Sequence, residues 1–236
     1  MAVQGTALAN GMRIATDAME HVESVALGVW VDTGTRFERP ETNGIAHMLE
    51  HMLFKGTPRR SARAIAEEIE AVGGSLNAYT GRETTAFHAS VLKEDTALAI
   101  DVIADILQHS LLDPAELERE KTVVLQEIGQ ALDTPDDVIF DQLQSTAFPN
   151  QMLGRPVLGT EDTVRALTRD DLAAHLGAYY TPDRMILAAS GRIAHERVVE
   201  LAQAAFPGRA AANDRPAAAP AQYRGGEHRD QRTLEQ

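Results

Sequence analysis

Hydrophobic and polar positions alternate near the start of the chain and shift to a helical period later. From Ser24 to Asp32, Val25, Leu27, Val29 and Val31 fall on one face and Ser24, Ala26, Gly28 and Trp30 on the other, the pattern of a half-buried strand. Ahead of it, Asn10-Gly11 predicts a two-residue hairpin turn joining Thr6–Ala9 to Met12–Thr16. Gly34 opens a polar loop that lasts to Asn43-Gly44. Ile45 to Phe54 then reads as a short helix, stopped by Lys55-Gly56 and Pro58. Ser61 caps a second helix with an apolar stripe of Ile65, Ile69 and Val72, ended by Gly73-Gly74. Ser75–Thr80 and Thr84–Leu92 form a further hairpin around Gly81-Arg82-Glu83, where Arg82 and Glu83 pair or shape the turn.

Three helices follow. Asp95 caps the first, with Leu98, Val102 and Ile106 on its buried face; Asp113-Pro114-Ala115-Glu116 opens the second, and Thr134-Pro135-Asp136-Asp137 repeats that chemistry for the third. Thr168 with Asp171 caps a later helix that ends near Tyr179-Tyr180 and is broken by Thr181-Pro182. Met185–Ser190 reads as a strand and His195–Phe206 as a last helix. Beyond Pro207 the chain turns Ala- and Pro-rich, which divides it into a domain over 1–207 and a linker over 208–236.

A hydrophobic fraction of 44% with 24% charged residues is ordinary globular composition and argues against a disordered or fibrous chain. The formal net charge of -13 speaks against nucleic acid as a partner, since phosphate neutralisation needs clustered Lys and Arg. No apolar run approaches the roughly 20 residues of a membrane span, and the first residues lack a basic start followed by an apolar stretch. Those features lead to the expectation of a cytoplasmic protein without membrane attachment. The absence of cysteine removes disulfides and thiolate ligands together, so any metal must sit on His and carboxylate.

That restriction gives weight to His47-Met48-Leu49-Glu50-His51. At about 100° per residue, Glu50 lies about 60° to one side of His47 and His51 about 40° to the other, so all three share one helix face. Two imidazoles a turn apart can close on one metal while the carboxylate reaches the water beside it, and the order H-x-x-E-H is an inverted zinc-enzyme motif. A zinc site of this kind needs a third protein ligand and an open fourth position. On the helix opened by Pro114, Glu120 and Glu127 are seven apart and share a face with Val124 between them. Glu127 is read as the third ligand, and Glu120 as an acid that orients a ligand or the water. Solvated helix charges are the plain alternative for both. The flanks Ala46, Leu49, Met52 and Phe54 predict a largely buried motif helix, in which unpaired charge is costly. His88, His109, His175 and His195 carry no partner motif, and Trp30 is read as core.

The segments NGIAHMLEHMLFKGT, GGSLNAYTGRETTAFHASV and EREKTVVLQEI, with GRPVLGT and YYTPDRMILAASG further on, resemble the amino-terminal half of the pitrilysin family, its processing-peptidase-like bacterial branch in particular. The resemblance runs from about Gly5 to Ala205. In that family the third ligand is a Glu 76 residues past the second His, the separation of His51 and Glu127, with a second acid seven residues earlier at the position of Glu120. S-ribosylhomocysteine lyases also carry H-x-x-E-H, but their third ligand is a cysteine, which this chain lacks.

The resemblance implies an α+β fold, a two-layer α/β roll with a mainly antiparallel mixed sheet backed by helices. It also implies one zinc ion per chain and zinc-dependent endopeptidase chemistry, with Glu50 and Glu120 as the catalytic carboxylates. Leu76 to Thr80 resembles the family's edge strand, onto which an extended peptide or unfolded protein adds, and Asn77 and Ala78 match its substrate-contacting positions. Alternatively, Asn77 merely ends a helix-to-strand loop. Family enzymes have a second, similarly folded half that encloses the substrate and supplies an Arg-Tyr pair. The implied partner is therefore a carboxy-terminal half, a homologous subunit or a second copy. A non-catalytic subunit or interaction module that keeps the fold is the rival reading.

Overall fold

The strand pattern of the first third builds one sheet. The computed structural model describes residues 3–207 and 219–229. Strands β1 (Gln4–Ala7), β2 (Arg13–Ala18), β3 (Ser24–Val31), β4 (Ser75–Thr80), β5 (Thr85–Leu92) and β6 (Met185–Gly191) lie in the order β1-β2-β6-β3-β5-β4. Neighbours are antiparallel except β2 with β6, so the sheet is mixed and mainly antiparallel. Register carries the alternation across the strands: Val29 of β3 stands opposite Phe87 of β5 and Leu187 of β6, all on one buried face. Ala26, Trp30, His88 and Ser90 lie on the other face, which is half-buried to exposed. A sheet buried on one side only needs a single covering layer.

Eight helices are described: α1 (Ile45–Leu53), α2 (Ala62–Glu70), α3 (Thr96–His109), α4 (Pro114–Asp133), α5 (Pro135–Ala147), α6 (Glu161–Ala166), α7 (Arg169–Tyr179) and α8 (His195–Ala205). Helices α1, α2, α3 and α8 contact the sheet, while α4 and α7 pack on α1. The result is the two-layer α/β roll, with α1 held between the sheet edge and α4. At nine residues α1 is too short to be stable alone. Ile45, Met48, Leu49, Met52 and Leu53 are each at most 2% exposed, and burial at about 1.5–3 kcal/mol per side chain is what holds the helix.

Several local expectations need correction. The β1–β2 turn is wider than two residues: Leu8 and Met12 still pair, and the loop closes with Gly11 at φ +92°. This is a three-residue loop with a left-handed glycine, a form that suits Gly as well as the shorter turn does. Trp30 is not core; its indole lies over Gly28 on the open face and donates Nε1–H to Tyr79 Oη at 3.1 Å. The capping at Asp113 and the Thr168–Asp171 box are as expected, but Asp95 and Thr134 make no side-chain cap bond. Thr134 Oγ1 instead donates back to the Gln130 carbonyl of α4. Arg82 and Glu83 do not pair with each other; Arg82 reaches Asp141 on α5 at 2.6 Å and Glu83 pairs with Arg36. Helix α6, opened by a Thr160–Thr163 capping box, is an addition.

Of the expected linker, residues 208–218 and 230–236 lie outside the described residues. In the described part, Gln222 pairs with Gln151 through two bonds of 2.8 Å, and Arg224 N–H donates to the Ala147 carbonyl at 2.9 Å. Among the described residues no helix is long and apolar enough to cross a membrane.

Candidate metal centre

The site begins at the entry to α1. Gly44 occupies the N-cap position at φ +95°, and a Cβ there would meet the Leu158 carbonyl at 2.7 Å, so the position admits little but glycine. With no side chain to cap the helix, Glu38 does so from the preceding loop. Its Oε2 accepts from Gly44 N and Asn43 Nδ2 and its Oε1 from Ala46 N, all at 2.9 Å. A carboxylate at this end also suits the helix dipole. Burial pushes the Glu38 carboxyl up to about 7 despite these donors. The segment from Gly34 to Gly44, read from sequence as a polar loop, is therefore a packed structure with Thr35, Glu38, Thr42 and Asn43 buried.

Once α1 is seated, its polar face can only turn toward α4 and β4. His47, Glu50 and His51 are its half-buried positions among buried neighbours. On α4 the buried stripe is Leu117, Glu120, Val124 and Ile128, so Glu120 is part of the packing surface and Glu127 stands at its margin.

His47 Nε2 lies 3.6 Å and His51 Nε2 3.7 Å from the same oxygen, Oε2 of Glu127. One potential ligand atom from each residue falls within 4.8 Å of the others. Among the described residues this is the one group of three such side chains that converges. Tetrahedral zinc with bonds of about 2.0–2.1 Å sets its ligand atoms about 3.4 Å apart, close to the two His–Glu spacings of 3.6 and 3.7 Å. Protonation fits as well. Burial, with His51 as a lesser cause, holds His47 down at about 4, which keeps it neutral. His51 Nδ1 lies 3.0 Å from Glu120 Oε2; a carboxylate only accepts, so Nδ1 carries a proton and Nε2 is the nitrogen turned toward Glu127.

Glu120 also takes Lys55 Nζ at 2.6 Å on Oε1. Burial alone would raise its carboxyl, but the bonds from Lys55 and His51 together hold it below the usual range. Glu50 is not part of the converging trio. Its Oε2 accepts from Thr80 Oγ1 at 2.5 Å, and burial raises its carboxyl against that bond.

Among the described residues β4 is one of the two edges of the sheet, and Asn77 sits in the middle of it, not at a loop end. Leu76, Ala78 and Thr80 are half-buried and Asn77 and Tyr79 are exposed. The Ala78 N–H donates to Asn77 Oδ1 at 2.8 Å.

Lys55, Thr80 and Glu38 are the site residues that sequence reasoning missed. Lys55 had a signal, one turn past His51; Thr80 had one too, alternating with Ala78 on the face toward the helices. The other histidines stand apart: His175 stacks near Tyr179 at a ring separation of 4.6 Å, and His195 bonds Thr6 and Thr16 at 2.8 Å each.

Comparison with known proteins places the chain in a family. Residues 13–161 match the family "Insulinase (Peptidase family M16)", and residues 166–235 match "Peptidase M16 inactive domain". β6, from the second match, pairs with β2 and β3 from the first, so one sheet spans both. A probable mitochondrial-processing peptidase subunit beta of Arabidopsis thaliana is 47% identical over 85% of this chain and 38% of its own. An uncharacterized zinc protease of Bacillus subtilis is also 47% identical, over 78% of this chain and 45% of its own. The crystal structure of a protease from Helicobacter pylori shares the fold, with a TM-score of 0.86 at 22% identity over 94% of this chain and 54% of that one. The chain thus spans about half the length of these relatives or less. A family match over more than half of the sequence, on a matching fold, means that this chain belongs to peptidase family M16, the insulinase or pitrilysin family.

Proposed function

We propose that this chain is the metal-binding half of a zinc-dependent endopeptidase. His47, His51 and Glu127 hold the ion, Glu50 is the general base, and β4 receives an extended peptide at Asn77 and Ala78. The observation that carries the reading is the convergence of both Nε2 atoms on Glu127 Oε2 at 3.6 and 3.7 Å. Three ligands with an aligned carboxylate favour a catalytic over a structural site, because structural zinc is normally closed by four.

Zinc in this position supplies Lewis acidity toward a water molecule and a peptide carbonyl. The residues divide the remaining work. Glu50 has Oε2 occupied by Thr80, which leaves Oε1 to take the water's proton and return it to the leaving amine. Burial lifts its carboxyl toward the range where it can do both. Glu120 holds His51 in the Nδ1–H tautomer. The peptide is held by main-chain bonds to the edge of β4, which tolerate varied side chains, and Asn77 releases the Ala78 N–H for that pairing. The whole enzyme needs a second half or homologous subunit to enclose its substrate.

The test is a metal assay on the purified chain beside its variants. About one zinc per chain is expected, lost in His51→Ala and Glu127→Gln and kept in Glu50→Gln. Loss of zinc in Glu50→Gln with retention in Glu127→Gln would exchange the two roles.

A further inference from the structure

We propose that Lys55 is a positioning residue of the metal centre, acting through Glu120 on His51. This rests on the zinc reading of the site. Lys55 follows the end of α1, where its backbone is pinned: its N–H donates to the Met52 carbonyl at 3.1 Å, and the next residue's carbonyl accepts from Leu111 N–H at 3.0 Å. From there Nζ meets Glu120 Oε1 at 2.6 Å, while Glu120 Oε2 meets His51 Nδ1 at 3.0 Å. The two oxygens have one donor each, so rotating the carboxylate to improve one bond breaks the other. Glu120 is in turn fixed within the α4 stripe that packs on α1, with its side chain 8% exposed. Lys55, Glu120 and His51 thus form a chain that runs from just past the end of α1 to α4 and back to α1, and sets the direction of His51 Nε2.

A plainer role for Lys55 is charge balance beside Glu50, Glu120 and Glu127. The two roles predict opposite signs. Removing a cation makes the site more negative, and by charge alone a divalent ion would bind more tightly. Removing a positioning contact frees the Glu120 carboxylate and through it the imidazole, and supporting contacts of this kind are worth about 10–100-fold in metal affinity. Lys55 then weakens binding when lost, although it carries the same charge sign as the metal.

The experiment measures zinc affinity of the full chain by competition with a chromophoric chelator. Lys55→Met, Lys55→Arg, Glu120→Ala, the Lys55→Met/Glu120→Ala pair and His51→Ala are compared, with thermal unfolding of each metal-free protein as the check on folding. Lys55→Met is expected to bind zinc about 10–100-fold more weakly with metal-free unfolding little changed, and Lys55→Arg to stay within about threefold of the parent. In the Glu120→Ala background, Lys55→Met should cost nothing further, because the effect passes through the missing carboxylate. Should Lys55→Met fail to fold, Lys55→Gln carries the same expectation. Equal or tighter zinc binding in Lys55→Met, or a full additional loss in the double variant, overturns the proposal while leaving the zinc site intact. A parent chain that holds no zinc, or that keeps it in His51→Ala, overturns the metal reading and this inference with it.

Discussion

Glu50 and His51 are adjacent in sequence yet are held from opposite sides: Thr80 on the sheet edge bonds Glu50, and Glu120 on α4 bonds His51. The proposed base and the proposed ligand are therefore separable by mutation. Thr80→Val removes the hydroxyl at nearly constant volume and leaves Glu50 Oε2 without its donor. A hydrogen bond to a charged group is worth about 1.5–3 kcal/mol, so a loss of roughly 10–100-fold in kcat is expected in an active assembly. Zinc content and KM should hardly change, and Thr80→Ser should recover most of the rate. Steady-state kinetics with a metal assay on the same preparations decide this; a variant at parental kcat would remove Thr80 from the machinery. How much of the site could be read from sequence follows the same division. His47, Glu50 and His51 needed only the helical period, since they lie within one turn of one element. Glu127 was reached from the helix face it shares with Glu120 and Val124, and then through spacing shared with a family. Thr80 and Lys55 meet their partners across elements, and no periodicity within one element encodes which residue of the next it will face.

At the scale of the element, α1 depends on Glu38, whose carboxylate caps it from a loop rather than from the N-cap position. That arrangement has a pH signature. The Glu38 carboxyl is raised from about 4.5 in the unfolded chain to about 7 in the fold, so between these values the folded state binds more protons. Its contribution to stability is therefore full below about 4.5 and declines by about 3 kcal/mol as pH rises to about 7. His47 and His175, held by burial at about 4, give the opposite slope, gaining stability as pH rises toward 6.5. Glu38→Gln leaves those two in place, so the difference between parent and variant isolates Glu38. The amide must also turn its NH2 toward one of three N–H donors, at a cost of about 1–3 kcal/mol. Denaturant unfolding of the metal-free proteins should show the parent's advantage larger at pH 5 than at pH 8 by up to about 3 kcal/mol. A difference that is constant with pH would show that the Glu38 carboxyl is not raised by the fold. Caps in general were legible only in part. Asp113 and Thr168 cap as their sequences suggest, while Thr134 has the same local chemistry and bonds backward to Gln130 instead. A helix packed directly before it offers that carbonyl, and local sequence does not reveal the competition. Helix α6, at six residues, is too short for a period to show.

For the whole molecule, a strand such as β3 was legible because a buried face imposes alternation on it, while the mixed, mainly antiparallel sheet was implied by the family resemblance. Trp30 was misread for a related reason: a large aromatic residue on the open face of a one-sided sheet looks like core until the covering layer is known. The same one-sidedness frames the last prediction. Among the described residues no strand pairs with the outer side of β4, and Asn77 and Tyr79 on it are exposed. The chain spans 38% and 45% of the two relatives with the highest identity named above. A peptide added to this edge is held along one side only, and misplacement of the scissile bond by about 1 Å can cost on the order of a hundredfold in rate. Carbonyl stabilisation from outside these residues is worth about 3–4 kcal/mol in comparable enzymes. The 236-residue chain alone is therefore expected to show little or no peptidase activity with zinc bound. Titrating in a carboxy-terminal half from an M16 relative, against a quenched fluorescent peptide at constant zinc, should raise the rate by orders of magnitude. Rapid, chelator-sensitive cleavage by the chain alone, in a preparation that light scattering shows to be monomeric, would contradict this and make the edge strand and metal centre a sufficient active site. Activity that rises with the square of protein concentration would instead identify a second copy as the missing wall, and a mass measurement across the titration separates these outcomes.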